Sequence, residues 1–257
     1  MLDDHIALNA RKDGAAPQSR RAVLGKAAVG LTAVAGVGSL AGPALAAKSD
    51  NRWNWHFGSG RAFDFIVTQE QFGVTFLTEA VRRAPGTPSA AFLPVLKAAN
   101  TTEYDHVKAL EAIGAHALTT SYWIPDAAFG GGGPGLFESI EAVETIEFSM
   151  YLIGVNQATR RGNEFVARLC AEAMATESEH RVLARFAQGA TGGKMLLPNN
   201  ISFAPFLYRR ISEVKGALEA LGIGYGRKGA TPGKFYEYPG NPVANGTGTP
   251  QDYPNPT

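Results

Sequence analysis

The feature that most constrains this chain is a pair of short motifs, Glu103-Tyr104-Asp105-His106 and Glu177-Ser178-Glu179-His180. Both read Glu-x-x-His. Residues three apart share a face of an α-helix, so each motif aims a carboxylate and an imidazole at one point. A single copy is a weak signal. Here each copy is preceded, 33 residues earlier, by another glutamate: Glu70 before Glu103, and Glu144 before Glu177. The chain therefore writes Glu…Glu-x-x-His twice.

Apolar residues at helical spacing place these groups on four long helices. The first spans about Ala62 to Arg83, with Phe63, Ile66, Val67, Glu70, Val74, Leu77 and Val81 on one face. The second spans about Ser89 to His116, with Ser89 as N-cap and Pro94 confined to the first turns. Its stripe is Leu96, Ala99, Glu103, His106, Val107, Leu110 and Ile113. The third runs from about Phe137 to Arg160 and the fourth from about Asn163 to Gln188, with Asn163 as N-cap and Gly189 as stop. On the third helix Glu144 and Glu147 compete for the inward position. The repeat spacing favours Glu144, leaving Glu147 as a supporting group or a third bridging carboxylate. Charged groups inside apolar stripes are costly unless they are paired or bound to metal.

Ala117 to Leu136 reads as a non-helical connector ending in Gly130-Gly131-Gly132-Gly133-Pro134-Gly135. At roughly 3.3 Å per residue it can cross the length of a bundle. A fifth, shorter helix is expected from about Pro205 to Leu221. From residue 226 to 257 the composition turns to Gly, Pro, Asn, Thr and Tyr, which reads as an extended or disordered tail. Its Phe235-Tyr236-Glu237-Tyr238 could dock on the other protomer of a homodimer; a mobile tail is the preferred reading.

Residues 1–46 read as a targeting segment. Ser19-Arg20-Arg21-Ala22-Val23-Leu24 is a twin-arginine motif, a weakly apolar run from Ala27 to Leu40 follows, and Ala44-Leu45-Ala46 offers a cleavage site. The run is shorter and less apolar than the ~20 residues a spanning helix needs. The expectation is export to the periplasm, or otherwise out of the cytoplasm, with no membrane attachment after cleavage. The mature domain would then cover 47–225, beginning with an aromatic arm, Arg52-Trp53-Asn54-Trp55-His56-Phe57, laid on the bundle. Cys170 is the only cysteine, which excludes an intrachain disulfide. The full chain carries 24 basic and 23 acidic residues. That balance gives no electrostatic reason to expect a nucleic-acid partner.

The chain resembles the bacterial ferritin-like proteins related to plant desiccation-related proteins, over about residues 60–190. The resemblance rests on the segment around Glu70, on Glu103-x-x-His106, on Glu144 followed by Tyr151, and on Glu177-x-x-His180 with Arg185. It implies an all-α, ferritin-like four-helix bundle with a long crossover between its second and third helices, to which the sequence adds the short fifth helix and the tail. It also implies six metal ligands: Glu70, Glu103, His106, Glu144, Glu177 and His180. In such bundles one glutamate from each of two helices joins a Glu-x-x-His from each of two others. Four carboxylates and two neutral imidazoles balance two divalent ions, iron or manganese, expected about 3.5–4 Å apart. Glu103 and Glu177 are the expected bridges. The sequence departs from the commonest family pattern at Glu147, where a small residue is frequent.

Three functions fit. One is a redox enzyme that uses O2 or peroxide to detoxify peroxide or oxidise Fe(II). Another is a non-catalytic stress or envelope protein that keeps the site for stability. An iron-storage shell fits least, because the arm, fifth helix and tail are parts a compact shell subunit does not need. A hydrogen-bonded Glu–His network without metal is the bland alternative for the site.

Overall fold

The structure is a computed structural model, and it describes residues 61–194, 203 and 206–250. Residues 1–46, read as a targeting segment, and the stretch with Trp53 and Trp55 read as an aromatic arm lie outside the described residues. The fold is mostly helical, with one small sheet.

Four long helices carry the core: α1 (Arg61–Arg83), α2 (Leu93–Ala112), α3 (Pro134–Arg160) and α4 (Glu164–Ala190). Their side-chain pairings fix their directions. Asn100 of α2 meets Thr78 of α1, and His106 meets Glu70, so α2 is antiparallel to α1. Gln69 reaches Glu147 and Ile66 lies against Gly154, so α3 is also antiparallel to α1. Arg185 pairs with Glu141 and Cys170 packs on Gly154, so α4 runs antiparallel to α3. It follows that α2 and α3 are parallel, and residues 113–133 must return the chain from one end of the helices to the other.

That return is more structured than the glycine run suggests. It holds strand β1 (Ser121–Pro125) and a 3-10 helix (Asp126–Gly132). Gly130, Gly131 and Gly132 sit at φ 47, 63 and 70, a region that side chains disfavour. The expectation of a wholly non-helical connector is thereby corrected: the glycines shape the turn's exit rather than forbid the turn.

α2 begins at Leu93 rather than Ser89. Pro88–Phe92 forms a 3-10 turn, and Pro94 falls in the first turn of the α-helix, where a missing N–H removes no bond. Asn163 caps α4 as expected, accepting from Val166 N at 3.0 Å. Gly189 does not stop α4. The helix passes through it to Ala190, and Gly192 supplies the left-handed residue that follows (φ 95).

The fifth helix, α5 (Ile211–Ala220), is shorter than expected, and Phe206, Leu207 and Tyr208 precede it in irregular structure. The segment read as an extended or disordered tail is folded onto the helices over its described residues, 226–250. β2 (Gly224–Tyr225) and β3 (Gly233–Glu237) flank β1 in the order β2-β1-β3, both antiparallel, with Tyr122 opposite Tyr236. Phe235 and Tyr236 thus pair with β1 of their own chain. The sheet lies on α1: Phe72 meets Tyr122 edge-on at 5.9 Å, and Phe65 meets Tyr225 at 5.4 Å. Beyond β3, Thr247 and Thr249 are fastened to α2 by Asn100 and Thr101. Composition misled here because the backbone donors and acceptors of this segment are satisfied by residues far away in sequence. Among the described residues, no helix is long and apolar enough to cross a membrane.

Candidate metal centre

The six candidate residues come together in the interior. α1 supplies Glu70, α2 supplies Glu103 and His106, α3 supplies Glu144, and α4 supplies Glu177 and His180. They form two overlapping sets. One is Glu70, Glu103, His106 and Glu177; the other is Glu103, Glu144, Glu177 and His180. Within each set the potential ligand atoms lie within 4.8 Å of one another, and Glu103 and Glu177 belong to both. The buried groups could hold a metal ion.

Each imidazole faces the carboxylates through Nδ1. His106 Nδ1 lies 2.9 Å from Glu177 Oε1 and 3.2 Å from Glu70 Oε2. His180 Nδ1 lies 3.0 Å from Glu103 Oε1, 3.2 Å from Glu177 Oε2 and 3.5 Å from Glu144 Oε1. One ring nitrogen carries at most one proton, so it cannot serve three oxygens. Both oxygens of Glu103, Oε2 of Glu144 and Oε1 of Glu177 are buried with no aligned hydrogen bond. Buried carboxylate oxygens without a partner are costly, and a cation placed among them removes that cost. The donor set, hard oxygens with imidazole nitrogen, suits a first-row transition ion. Among the described residues no Lys or Arg pairs with these four glutamates. Arg181 is buried nearby in sequence, but its guanidinium lies over the Phe148 ring, 5.9 Å from the centroid.

Electrostatics follow from this crowding. Burial, reinforced by the charges of Glu177 and Glu70, pushes the Glu103 carboxyl up to about 8. Burial pushes Glu70 up to about 7, with the His106 bond opposing. Burial also lifts Glu144 well above the usual range, with His180 opposing. For Glu177 burial acts in the same sense, but His106 and His180 together overcome it and hold the carboxyl low. The imidazoles respond in kind: burial would lower both, but the charge of Glu177 raises His106 and that of Glu144 raises His180.

Supporting contacts surround the cluster. Tyr151, fully buried, donates to Glu70 Oε1 at 2.8 Å. Glu147 is buried beside the cluster but belongs to neither set; its Oε1 accepts from Gln69 Nε2 at 2.8 Å. Gln69 in turn accepts from the Tyr225 hydroxyl of β2, which ties the sheet to the interior. Gly73 leaves room for the cluster: a Cβ there would stand 2.9 Å from Glu103 Oε2. Gly73, Gln69 and Tyr225 escaped the sequence reading. A glycine within an apolar stripe, one turn from Glu70, was the available signal for the first; the other two depend on long-range packing. An apolar cavity of ≈ 30 Å³ is lined by Leu77, Leu96, Ala99, Phe137 and Ile140 together with Glu144 and His180 of the cluster.

No family model, curated protein or solved structure matches this chain.

Proposed function

We propose that this is an exported, ferritin-like four-helix protein that holds two iron or manganese ions and works on O2 or peroxide as an oxidoreductase. The observation that carries the reading is the sharing of Glu103 and Glu177 between two complete ligand sets. One ion needs a single set; two sets with two carboxylates in common suit a bridged pair. The parallel α2 and α3, joined by a long return segment, support the ferritin-like topology.

When bound, the ions would supply electrons to O2 or peroxide. The protein's own contribution is positional. Glu103 and Glu177 join the two sets, Glu70 and Glu144 complete one set each, and His106 and His180 offer Nδ1. Tyr151 fixes the rotamer of Glu70 through its hydroxyl. Burial excludes bulk water, and the ≈ 30 Å³ cavity lined in part by Glu144 and His180 has room for about two water-sized molecules, enough for O2 or peroxide.

The test is elemental analysis of protein purified from its own host, followed by spectroscopy as peroxide is added. Two iron or manganese ions per chain and a spectral response to peroxide are expected. Two ions without a response would favour the non-catalytic envelope role, and absence of metal would remove the metal-centre reading. Retention of an Arg20→Lys, Arg21→Lys double variant in the cytoplasm, with the unaltered chain exported, is expected; undiminished export would remove the twin-arginine reading.

A further inference from the structure

Among the described residues the sheet ends on β3, which pairs with β1 on one side and shows a free edge on the other. The hydrogen bonds at its two ends say which residues face that edge. Tyr238 N donates to Thr120 O at 2.8 Å, and Asp126 N donates to Pro232 O at 3.0 Å. Bonded and unbonded residue pairs alternate along an antiparallel ladder. Lys234 and Tyr236 therefore bond toward β1, while Gly233, Phe235 and Glu237 turn their N–H and C=O groups outward. Among the described residues nothing bonds to those outward groups. Lys234, Phe235 and Glu237 are exposed, Phe235 to 49%. Such a row of unpaired backbone groups is a template for another strand.

We propose that β3 joins two copies of this chain, edge to edge as antiparallel strands about a two-fold axis. The argument is independent of any metal at the Glu–His cluster. A two-fold interface needs a self-complementary surface, and β3 offers one. With Phe235 opposite Phe235 of the second copy, Gly233 lies opposite Glu237. Every outward N–H of one copy then meets an outward C=O of the other, and any shift within the strand leaves some of them unpaired. Charge favours the same arrangement. Lys234 stands near the first end of the strand and Glu237 at the last, so antiparallel pairing sets each basic end beside the acidic end of the other copy. The aromatic side chains agree. Phe235 rests edge-on against Trp123, with 5.2 Å between ring centroids. Directly opposed residues share a face of the sheet, so the two Phe235 rings meet there and carry the Trp123 contact across the axis. The pairing also closes. The other edge strand, β2, has only Gly224 and Tyr225, too short to pass the assembly on to a third copy.

The experiment is sedimentation velocity of the full-length protein over a range of concentrations. The unaltered chain should pass from monomer to dimer as concentration rises, with no larger species. Phe235→Pro removes an outward N–H that β1 does not use, and should leave the protein monomeric throughout. Phe235→Ala keeps that bond but loses the aromatic pair, and should weaken the dimer about 10-fold. Cross-linking reads the register and does not depend on the proline variant. Opposed Cα atoms of a bonded pair stand about 5.5 Å apart, within disulfide reach. With diamide as oxidant, Phe235→Cys should give a covalent dimer, and Glu237→Cys, which would face Gly233, should give little. Cys170 is buried and should not contribute. A monomer at every concentration, a dimer untouched by Phe235→Pro, or equal cross-linking at 235 and 237 would overturn the assignment.

Discussion

The two helical hairpins, α1–α2 and α3–α4, carry the same Glu and His residues at the same intervals and differ one turn further on. Glu70 matches Glu144, Glu103 matches Glu177, and His106 matches His180. Three residues after Glu70 stands Gly73; three after Glu144 stands Glu147. In the first hairpin the missing side chain leaves space that the Glu103 carboxylate uses. In the second, a further carboxylate fills the corresponding place and is held by Gln69 of the other hairpin. Tyr151 breaks the symmetry again, because it belongs to the second hairpin yet donates to Glu70 of the first. Glu144 has no such donor, and its Oε2 is left unpartnered. A repeated set of Glu and His residues therefore sits in two unequal surroundings, and two ions held as proposed should differ in affinity.

The largest effect is expected where the halves are joined. Glu177 belongs to both sets, so Glu177→Ala should reduce the bound metal from two ions to one or none and lower the melting temperature of the metal-loaded protein. Glu179→Ala, on the exposed face, should keep both ions. Stoichiometry by elemental analysis decides. Equal loss in both variants would mean that the shared carboxylate has no special place.

Metal removal should leave a protein whose stability falls as pH rises. Glu103 and Glu70 titrate at about 8 and about 7 in the fold against an ordinary value of 4.5. A carboxyl raised in the folded state contributes stability that is full below about pH 4.5 and is lost as pH climbs through 7 to 8. The raised imidazoles act in the same sense, because their protonated forms are favoured by folding. Glu177 acts oppositely, but its window lies below pH 4.5. The metal-free melting temperature should thus drop between pH 5 and 8. The metal-loaded protein should not follow, since bound cations need the same groups deprotonated. Parallel melting curves for the two forms would break this account.

Smaller effects should separate the halves. Tyr151→Phe removes the donor to Glu70 and should weaken binding of one ion by about 10–100-fold, the usual cost of losing a partner that orients a ligand. The other ion should be little changed. Gly73→Ala tests the same half from the other direction. Alanine favours a helix interior over glycine by about 0.5–1 kcal/mol, so the metal-free protein should melt no lower than the unaltered chain. The added Cβ displaces the Glu103 carboxylate, so metal affinity should fall roughly 10-fold, as for other changes that misplace a ligand. A drop in metal-free stability with unchanged affinity would show that Gly73 serves packing alone. Isothermal titration with Mn(II) reads both variants.

The sequence made the six cluster residues legible because each is a polar interruption of an apolar stripe at helical spacing, and the interruptions repeat. Which glutamate of α3 joins the sets was undecided on a helical wheel. Neighbouring helices place Glu144 in a set and leave Glu147 beside it, bonded to Gln69. The sheet was illegible for a related reason. β3 lies in a segment rich in Gly, Pro and Tyr, and its partner β1 stands more than a hundred residues earlier in a connector read only as non-helical. Local composition reports what a segment can do alone, whereas Tyr236 is placed by Tyr122 and Thr247 by Asn100.

The smallest change is expected at Glu147, and it bears most directly on the difference between the hairpins. Its Oε1 accepts from Gln69 and the residue belongs to neither ligand set. Burial, with the charges of Glu103 and Glu177 added, raises its carboxyl well above the usual range. Glu147→Gln preserves shape and removes that titration. Two bound ions should remain, with affinities changed by less than the ~10-fold that loss of an orienting partner costs. The metal-free protein should gain stability over the unaltered chain at pH 8, because one ionisable group fewer is forced among the carboxylates. At pH 5, where Glu147 is protonated in the fold, most of that gain should vanish. Loss of one ion in Glu147→Gln, with no gain in metal-free stability at pH 8, would make Glu147 a ligand and the second hairpin the donor of three carboxylates rather than two.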